Sequence, residues 1–161
     1  SALDRPVRRR WLSADVGLYG LAMLACVLLG LNAHADDRPK TAVLKEQVLE
    51  AYYVSAVARL AISERWSGTR RFAADREAAG MSREPTDTRF GPVASLHIFH
   101  GVVVVVFGDK ADDALVGKAL VIMPIVTERS KISWRCASAP PAELADLATV
   151  PAAYYPDACQ T

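Results

Sequence analysis

The side chains able to do chemistry in this chain fall into four groups: three cysteines, two histidines around an apolar run, a pair of aspartates, and arginines mixed with aromatics. Cys26 lies inside an apolar stretch, where a thiol behaves as a small hydrophobe. Cys136 and Cys159 stand in the final quarter, among polar residues and prolines. Two thiols alone do not establish a bond, but beside an export signal pairing is the favoured reading, because the compartment beyond the membrane is oxidising. Ser, His and Asp all occur, yet no Gly-x-Ser-x-Gly marks a strand-to-helix turn and no cysteine neighbours a base. His97 and His100 fall on offset faces of a strand and read as structural or solvent-facing. Asp112-Asp113 sits in a Gly-bounded hairpin loop, where aspartate serves turn geometry. The further carboxylates or histidines that a metal would need are missing from its surroundings, and there is no Gly-rich phosphate loop. The sequence predicts no catalytic residues, no metal and no cofactor.

The arginines have the strongest claim to a ligand. Arg65, Arg70, Arg71 and Arg76, interleaved with Trp66 and Phe72, have the composition for gripping a DNA backbone and stacking on its bases. Glu64, Asp75, Glu77, Glu84 and Asp87 are mixed among them, which favours a solvated, self-neutralising loop. The whole chain carries 19 Lys and Arg against 18 Asp and Glu, so no global field draws it to nucleic acid or to a membrane surface. Trp66, Phe72, Trp134, Tyr154 and Tyr155 read as core or loop anchors.

These residues must be positioned by one ordinary domain plus a short appendage, which is all that 161 residues with 52% hydrophobic content provide. The appendage is residues 1–35. Eighteen uncharged residues, Val16 to Ala33, follow Arg8-Arg9-Arg10 and precede Asp36-Asp37. The arginines keep the start of the run in the cytoplasm and place the remainder of the chain outside. As a signal peptide the parts are in order, with Ala33-His34-Ala35 as a small-residue cleavage site. As a retained anchor, the same run continues into the next helix. Both readings stand; a cytoplasmic core helix leaves the arginines unexplained. A lipoprotein signal at Cys26 is a poor fit, since apolar residues continue after it.

In residues 36–161, Thr41 to Trp66 contains neither Gly nor Pro, and apolar residues recur at helical spacing: Val43, Leu44, Val48, Leu49, Tyr52, Tyr53, Val57, Leu60, Ala61. That spacing predicts one amphipathic helix over 41–66, ended by Ser67-Gly68-Thr69 and facing a core with one side. A polar connection over 67–92 comes after it, with Gly80, Pro85, Gly91 and Pro92 as breakers. Four β-branched or aromatic runs come next, Val93–Phe99, Val102–Phe107, Lys118–Val126 and Ile132–Cys136, predicting strands over 93–136. Their short connections imply an antiparallel meander. Val102 to Val106 is apolar throughout, which predicts a central strand covered on both faces, with the helix as the one element able to cover it. The fold class is α+β, a helix laid on a four-stranded sheet, with an irregular tail that a Cys136–Cys159 bond would pin to the last strand.

The last third of the chain resembles the type IV pilins of Gram-negative bacteria. Their headgroups commonly finish with a strand opening Gly-Lys-x-Leu, a strand reading Ile-Ser/Thr-Trp-x-Cys, and a tail close to Tyr-Leu-Pro-x-x-Cys. Here stand Gly117-Lys118-Ala119-Leu120, Ile132-Ser133-Trp134-Arg135-Cys136 and Tyr155-Pro156-Asp157-Ala158-Cys159, in the same order and spacing. Leu60-Ala61-Ile62-Ser63-Glu64-Arg65-Trp66, with Phe72-Ala73-Ala74-Asp75 and Ala78-Ala79-Gly80-Met81 after it, is similar to the end of the pilin helix and its following loop; the resemblance spans about residues 41–160. It implies a non-enzymatic pilus subunit outside the cytoplasm, with other pilins and the assembly machinery as partners. The inner membrane is a partner if residues 1–35 are retained. It also implies that Cys136 and Cys159 bound the variable, disulfide-closed surface, and that residues 67–92 meet neighbouring subunits. At the front the chain departs from the family. Where pilin precursors carry Gly-Phe-Thr-Leu-Ile-Glu, this chain has Arg10-Trp11-Leu12-Ser13-Ala14-Asp15, so that Asp15 takes the place of the glutamate that sets assembly register. If Asp15 is instead the edge of a signal peptide, the chain is a soluble headgroup without its polymerising stalk, a binding module for DNA or a pilus partner.

Overall fold

The computed structural model describes residues 38–159. The expectations for residues 1–35, with the cleavage site, Cys26 and Asp15, lie outside the described residues. Two helical segments run end to end, α1 (Lys40–Val54) and α2 (Ala56–Thr69). Ser55, between them, donates its hydroxyl to the Tyr52 carbonyl at 2.6 Å, a local bond that competes with the helical ladder. The ladder nevertheless continues: Ser55 N–H reaches Ala51 O at 3.1 Å and Arg59 N–H reaches Ser55 O at 3.0 Å. The expected single helix is therefore present, with one local irregularity. It also runs past Trp66. Gly68 is accommodated in the last turn, and the stop comes at Arg70, whose left-handed backbone (φ 56°) ends the helix.

Four strands form the sheet, β1 (Val93–Phe99), β2 (Val102–Phe107), β3 (Ala119–Val126) and β4 (Ile132–Ala137). They lie in the order β1-β2-β3-β4, antiparallel throughout, as the short connections predict. The β1–β2 turn is His100-Gly101, with φ of 47° and 87°. Positive φ at both central residues is the hairpin turn whose twist matches the strands. The ring of Phe72 lies where a Gly101 Cβ would stand, so glycine here also admits the loop that packs on the hairpin.

The valine run of β2 is buried on both faces. Val103, Val105 and Phe107 join Leu96, Ile98, Leu120 and Ile122 beneath the helix, against Leu44, Val48, Ala51, Ala58 and Ile62. Val104, with Ala119 and Val121, faces the other way into a second, smaller cluster. The cover on that side corrects the expectation that only a helix could supply it. Leu144 and Leu147 of the C-terminal tail close over the second cluster. The tail is held there by backbone bonds beside β3, Ala119 N–H to Ala148 O (2.8 Å) and Val150 N–H to Ala119 O (2.9 Å).

The tail is otherwise three single 3₁₀ turns, Ala142–Leu144, Ala152–Tyr154 and Asp157–Cys159. Its end is fixed twice to β4. Cys136 and Cys159 form a disulfide with their Cα atoms 5.1 Å apart, and Tyr155 donates to Ala137 O at 2.8 Å. At the opposite edge, the connection before β1 contains a 3₁₀ turn (Pro85–Thr88) and lies along that strand. Arg76 donates to Leu96 O at 2.9 Å and to Ser82 O at 2.7 Å. His100 N–H reaches Ala74 O at 2.9 Å. Covering an edge in this way removes a template for unwanted strand pairing.

Candidate functional site

The helix is apolar on two faces rather than one. Leu44, Val48, Ala51, Ala58 and Ile62 turn inward, while Tyr53 (65% exposed), Leu60 (60%), Val57 (53%) and Leu49 (36%) turn to solvent. At 3.6 residues per turn these four share a stripe opposite the buried one. Lys45, Glu46 and Glu64 stand at its two ends, and all three are exposed. A contiguous apolar stripe with a charged rim marks an interaction surface. Covering it fully is worth about 1.5–3 kcal/mol for each large side chain. The expectation of nine apolar residues on a single core face is thus corrected. The signal was their number: nine positions among Val43 to Ala61 exceed what one stripe against a sheet can bury.

One border of the stripe is rigid. The Arg59 guanidinium lies 3.9 Å from the centre of the Tyr52 ring. It donates to Tyr52 Oη at 2.8 Å, to Tyr52 O at 3.1 Å and to Ser55 Oγ at 3.1 Å. Burial pushes its pKa down, the charge and hydrogen bond of Tyr52 oppose that, and a guanidinium stays cationic in proteins. Tyr52 in turn donates to Ala158 O at 3.2 Å, tying the helix to the residue beside Cys159. Tyr52→Phe is expected to lower stability by about 1 kcal/mol and to speed amide exchange around Cys159. Unchanged exchange there would show that the disulfide alone positions the tail.

Of the four arginines singled out in the sequence, three are exposed and one is buried. Arg65, Arg70 and Arg71 are exposed, with Arg65 donating to Ala78 O at 2.9 Å and Arg70 to Ser130 O at 3.4 Å. Arg76 is 5% exposed and committed to β1 and Ser82, which withdraws it from any partner. Trp66 and Phe72 stack on each other at 4.6 Å, so each ring covers a face of the other. The acidic residues do satisfy the loop from within: Asp75 accepts from Ala78 N–H at 2.7 Å and Glu77 pairs with Arg83.

The remaining candidates have structural roles. His97 is half-buried with Ser95 Oγ at 3.1 Å, and burial, then the charge of Arg76, lowers its pKa. His100 is exposed in its turn. Asp112 accepts from Ala114 N–H at 2.9 Å and pairs with Lys40 at 3.6 Å, while its own N–H reaches Gln47 Oε1 at 2.8 Å. It therefore shapes the β2–β3 loop and docks it on α1. Among the described residues no His, Cys, Asp and Glu group could hold a metal ion, and no helix is long and apolar enough to cross a membrane.

The described residues thus form a helix backed by an antiparallel meander, with a disulfide-closed tail and an exposed apolar stripe on the outer helix face. A family model for pilins, the subunits of a bacterial filament, matches residues 45–160, and the chain belongs to that family. Among curated proteins, none matches the chain. The family is a structural one. Membership makes this chain a structural type IV pilin subunit that assembles with other pilins, with a pilus-associated or extracellular location.

Proposed function

We propose that the outer face of the helix is the surface by which this pilin packs into its filament. The observation that carries the reading is the solvent-facing row Leu49, Tyr53, Val57, Leu60 on a domain whose core is already complete beneath the opposite face. In this reading residues 36–161 are the headgroup, and residues 1–35 its leader or anchor, with Asp15 as the assembly charge. Neighbouring pilins and the assembly machinery are the partners. Adhesion, motility and DNA uptake are the uses to which such a filament is put, the exposed Arg65, Arg70 and Arg71 being available to a partner in that setting.

Tyr53→Glu combined with Leu60→Glu tests this reading. Both side chains are largely exposed, so the melting temperature of the headgroup is expected to stay within a few degrees of the parent. Filaments recovered by shearing are expected to fall at least tenfold, since two buried carboxylates would have no partner in the packed helices. Normal filament yield would refute the assignment of this face.

A further inference from the structure

Three segments meet at the end of the domain where α2 stops. The Phe72 ring, just past the helix, packs on the β1–β2 turn at Gly101, and His100 N–H reaches Ala74 O at 2.9 Å. Arg70 donates to Ser130 O in the β3–β4 turn at 3.4 Å. That contact sets Arg70 and Arg71 next to the turn that carries Arg129 and Lys131, and all four are exposed. Thr127, Glu128, Arg129, Lys131 and Ile132 line an open depression on this turn. Among the described residues none of the four cations is in an ion pair. The helix dipole favours cations at the end of α2, which accounts for Arg70 or Arg71. It does not account for Arg129 and Lys131, which come in from the sheet.

This end also gives up stability that other residues would keep. Among the described residues three other than glycine have positive φ: Arg70 (56°), His100 (47°) and Ser130 (55°), one in each of the three segments. Glycine takes that conformation freely, whereas a side chain there is strained. Trp66 Nε1, in the ring stacked on Phe72, is the one buried side-chain polar atom among the described residues without a hydrogen-bond partner. Strain and unmet polar groups collect where a surface is shaped for a ligand rather than for folding.

The chemistry of the end selects the ligand. Guanidinium groups grip oxyanions with paired N–H donors. Trp66 and Phe72 are half-buried and stacked on each other, which makes them poor platforms for unpaired bases. The exposed Glu64 and Glu128 interrupt the long positive strip that the many phosphate contacts of a duplex require. Four cations in one compact end suit a short stretch of a single, densely charged chain. We infer that this end of the domain binds an acidic polysaccharide, its sulfate or carboxylate groups held by Arg70, Arg71, Arg129 and Lys131. The site uses none of the outer helix face, so it goes beyond the assembly reading and stands or falls separately.

Binding to the full chain in detergent, in a Cys26→Ser background that keeps the Cys136–Cys159 bond, tests it. The probes are heparin and alginate, dense in sulfate and carboxylate respectively, with neutral dextran and a short DNA duplex beside them. At least one charged polysaccharide is expected to bind, more weakly as salt rises, and dextran is not. Arg71→Gln, Arg129→Gln and Lys131→Gln together should weaken that binding about tenfold. Arg83→Gln, Arg89→Gln and Lys110→Gln remove the same charge elsewhere and should leave it within about twofold. Equal losses in the two triple variants would show attraction by overall charge and overturn the site. Arg70→Gly should weaken binding while the melting temperature stays near the parent's, since glycine relieves the left-handed backbone. A marked fall in melting temperature would assign Arg70 to the fold and remove it from the site. Tighter binding of the duplex, lost in the first triple variant, would overturn the polysaccharide in favour of nucleic acid. Failure of both heparin and alginate to bind at low salt would overturn the proposal and leave the helix-face reading untouched.

Discussion

Replacing Cys136 and Cys159 with serine is expected to lower the unfolding free energy by about 3 kcal/mol, the chain-entropy value for a loop of this size. The bond spans 23 residues of irregular backbone that has few contacts of its own to set its shape. What it secures is more than a surface loop. The enclosed segment supplies Leu144 and Leu147 to the second core cluster, and Ala158 O to the Tyr52 hydroxyl. Freeing the end of the tail therefore exposes Val104 and Val121 and loosens the Arg59 border of the helix face. Urea unfolding of the parent and the double variant, and of the parent with reductant, measures the loss. A difference below about 1 kcal/mol would mean that the tail is held by its packing and backbone bonds alone.

Arg76→Ala is expected to cost about 2–4 kcal/mol, large for an arginine in a segment that reads as polar loop. Each of its hydrogen bonds, to Leu96 O and Ser82 O, involves a charged donor, and such bonds contribute about 1.5–3 kcal/mol apiece. Relief of the guanidinium's own desolvation offsets part of that sum. The variant leaves a carbonyl of the β1 edge without its partner and releases the loop that covers that edge. Arg76→Lys should recover little, because one ammonium cannot reproduce the two-direction fork. Urea unfolding gives the size of the effect, and faster exchange of the His100 amide, which bonds to Ala74 O, would localise it. A loss under about 1 kcal/mol for Arg76→Ala would show that the β1 edge is closed without it.

Most of the fold was legible because its signals are local. The Gly- and Pro-free stretch, the β-branched runs and their short connections specify the helix, the strands and their antiparallel order with little help from distant contacts. The resemblance carried by Ile132 to Cys136 and Tyr155 to Cys159 located the staple. What was not legible depends on tertiary placement. A helical period reports that Leu49, Tyr53, Val57 and Leu60 are apolar, but the sheet decides which side becomes core. Arg76 sits in a charged sequence window no different from that of Arg70 or Arg71, and only the path of the loop across β1 buries it. Leu144 and Leu147, in a proline- and alanine-rich tail, carry no periodicity that would mark them as the lid of a second cluster. The helix also outruns its expected end, since Gly68 is tolerated where the ladder continues to Arg70.

Thiol labelling of Val57→Cys subunits, in the Cys26→Ser background, reads the outer helix face in its assembled and dispersed states. A maleimide reagent should modify this position readily in detergent-dispersed subunits, where the parent side chain is 53% exposed, and at least tenfold more slowly in intact sheared filaments. Equal rates in the two states would mean that the face stays open to water after assembly and that the filament is built through some other surface.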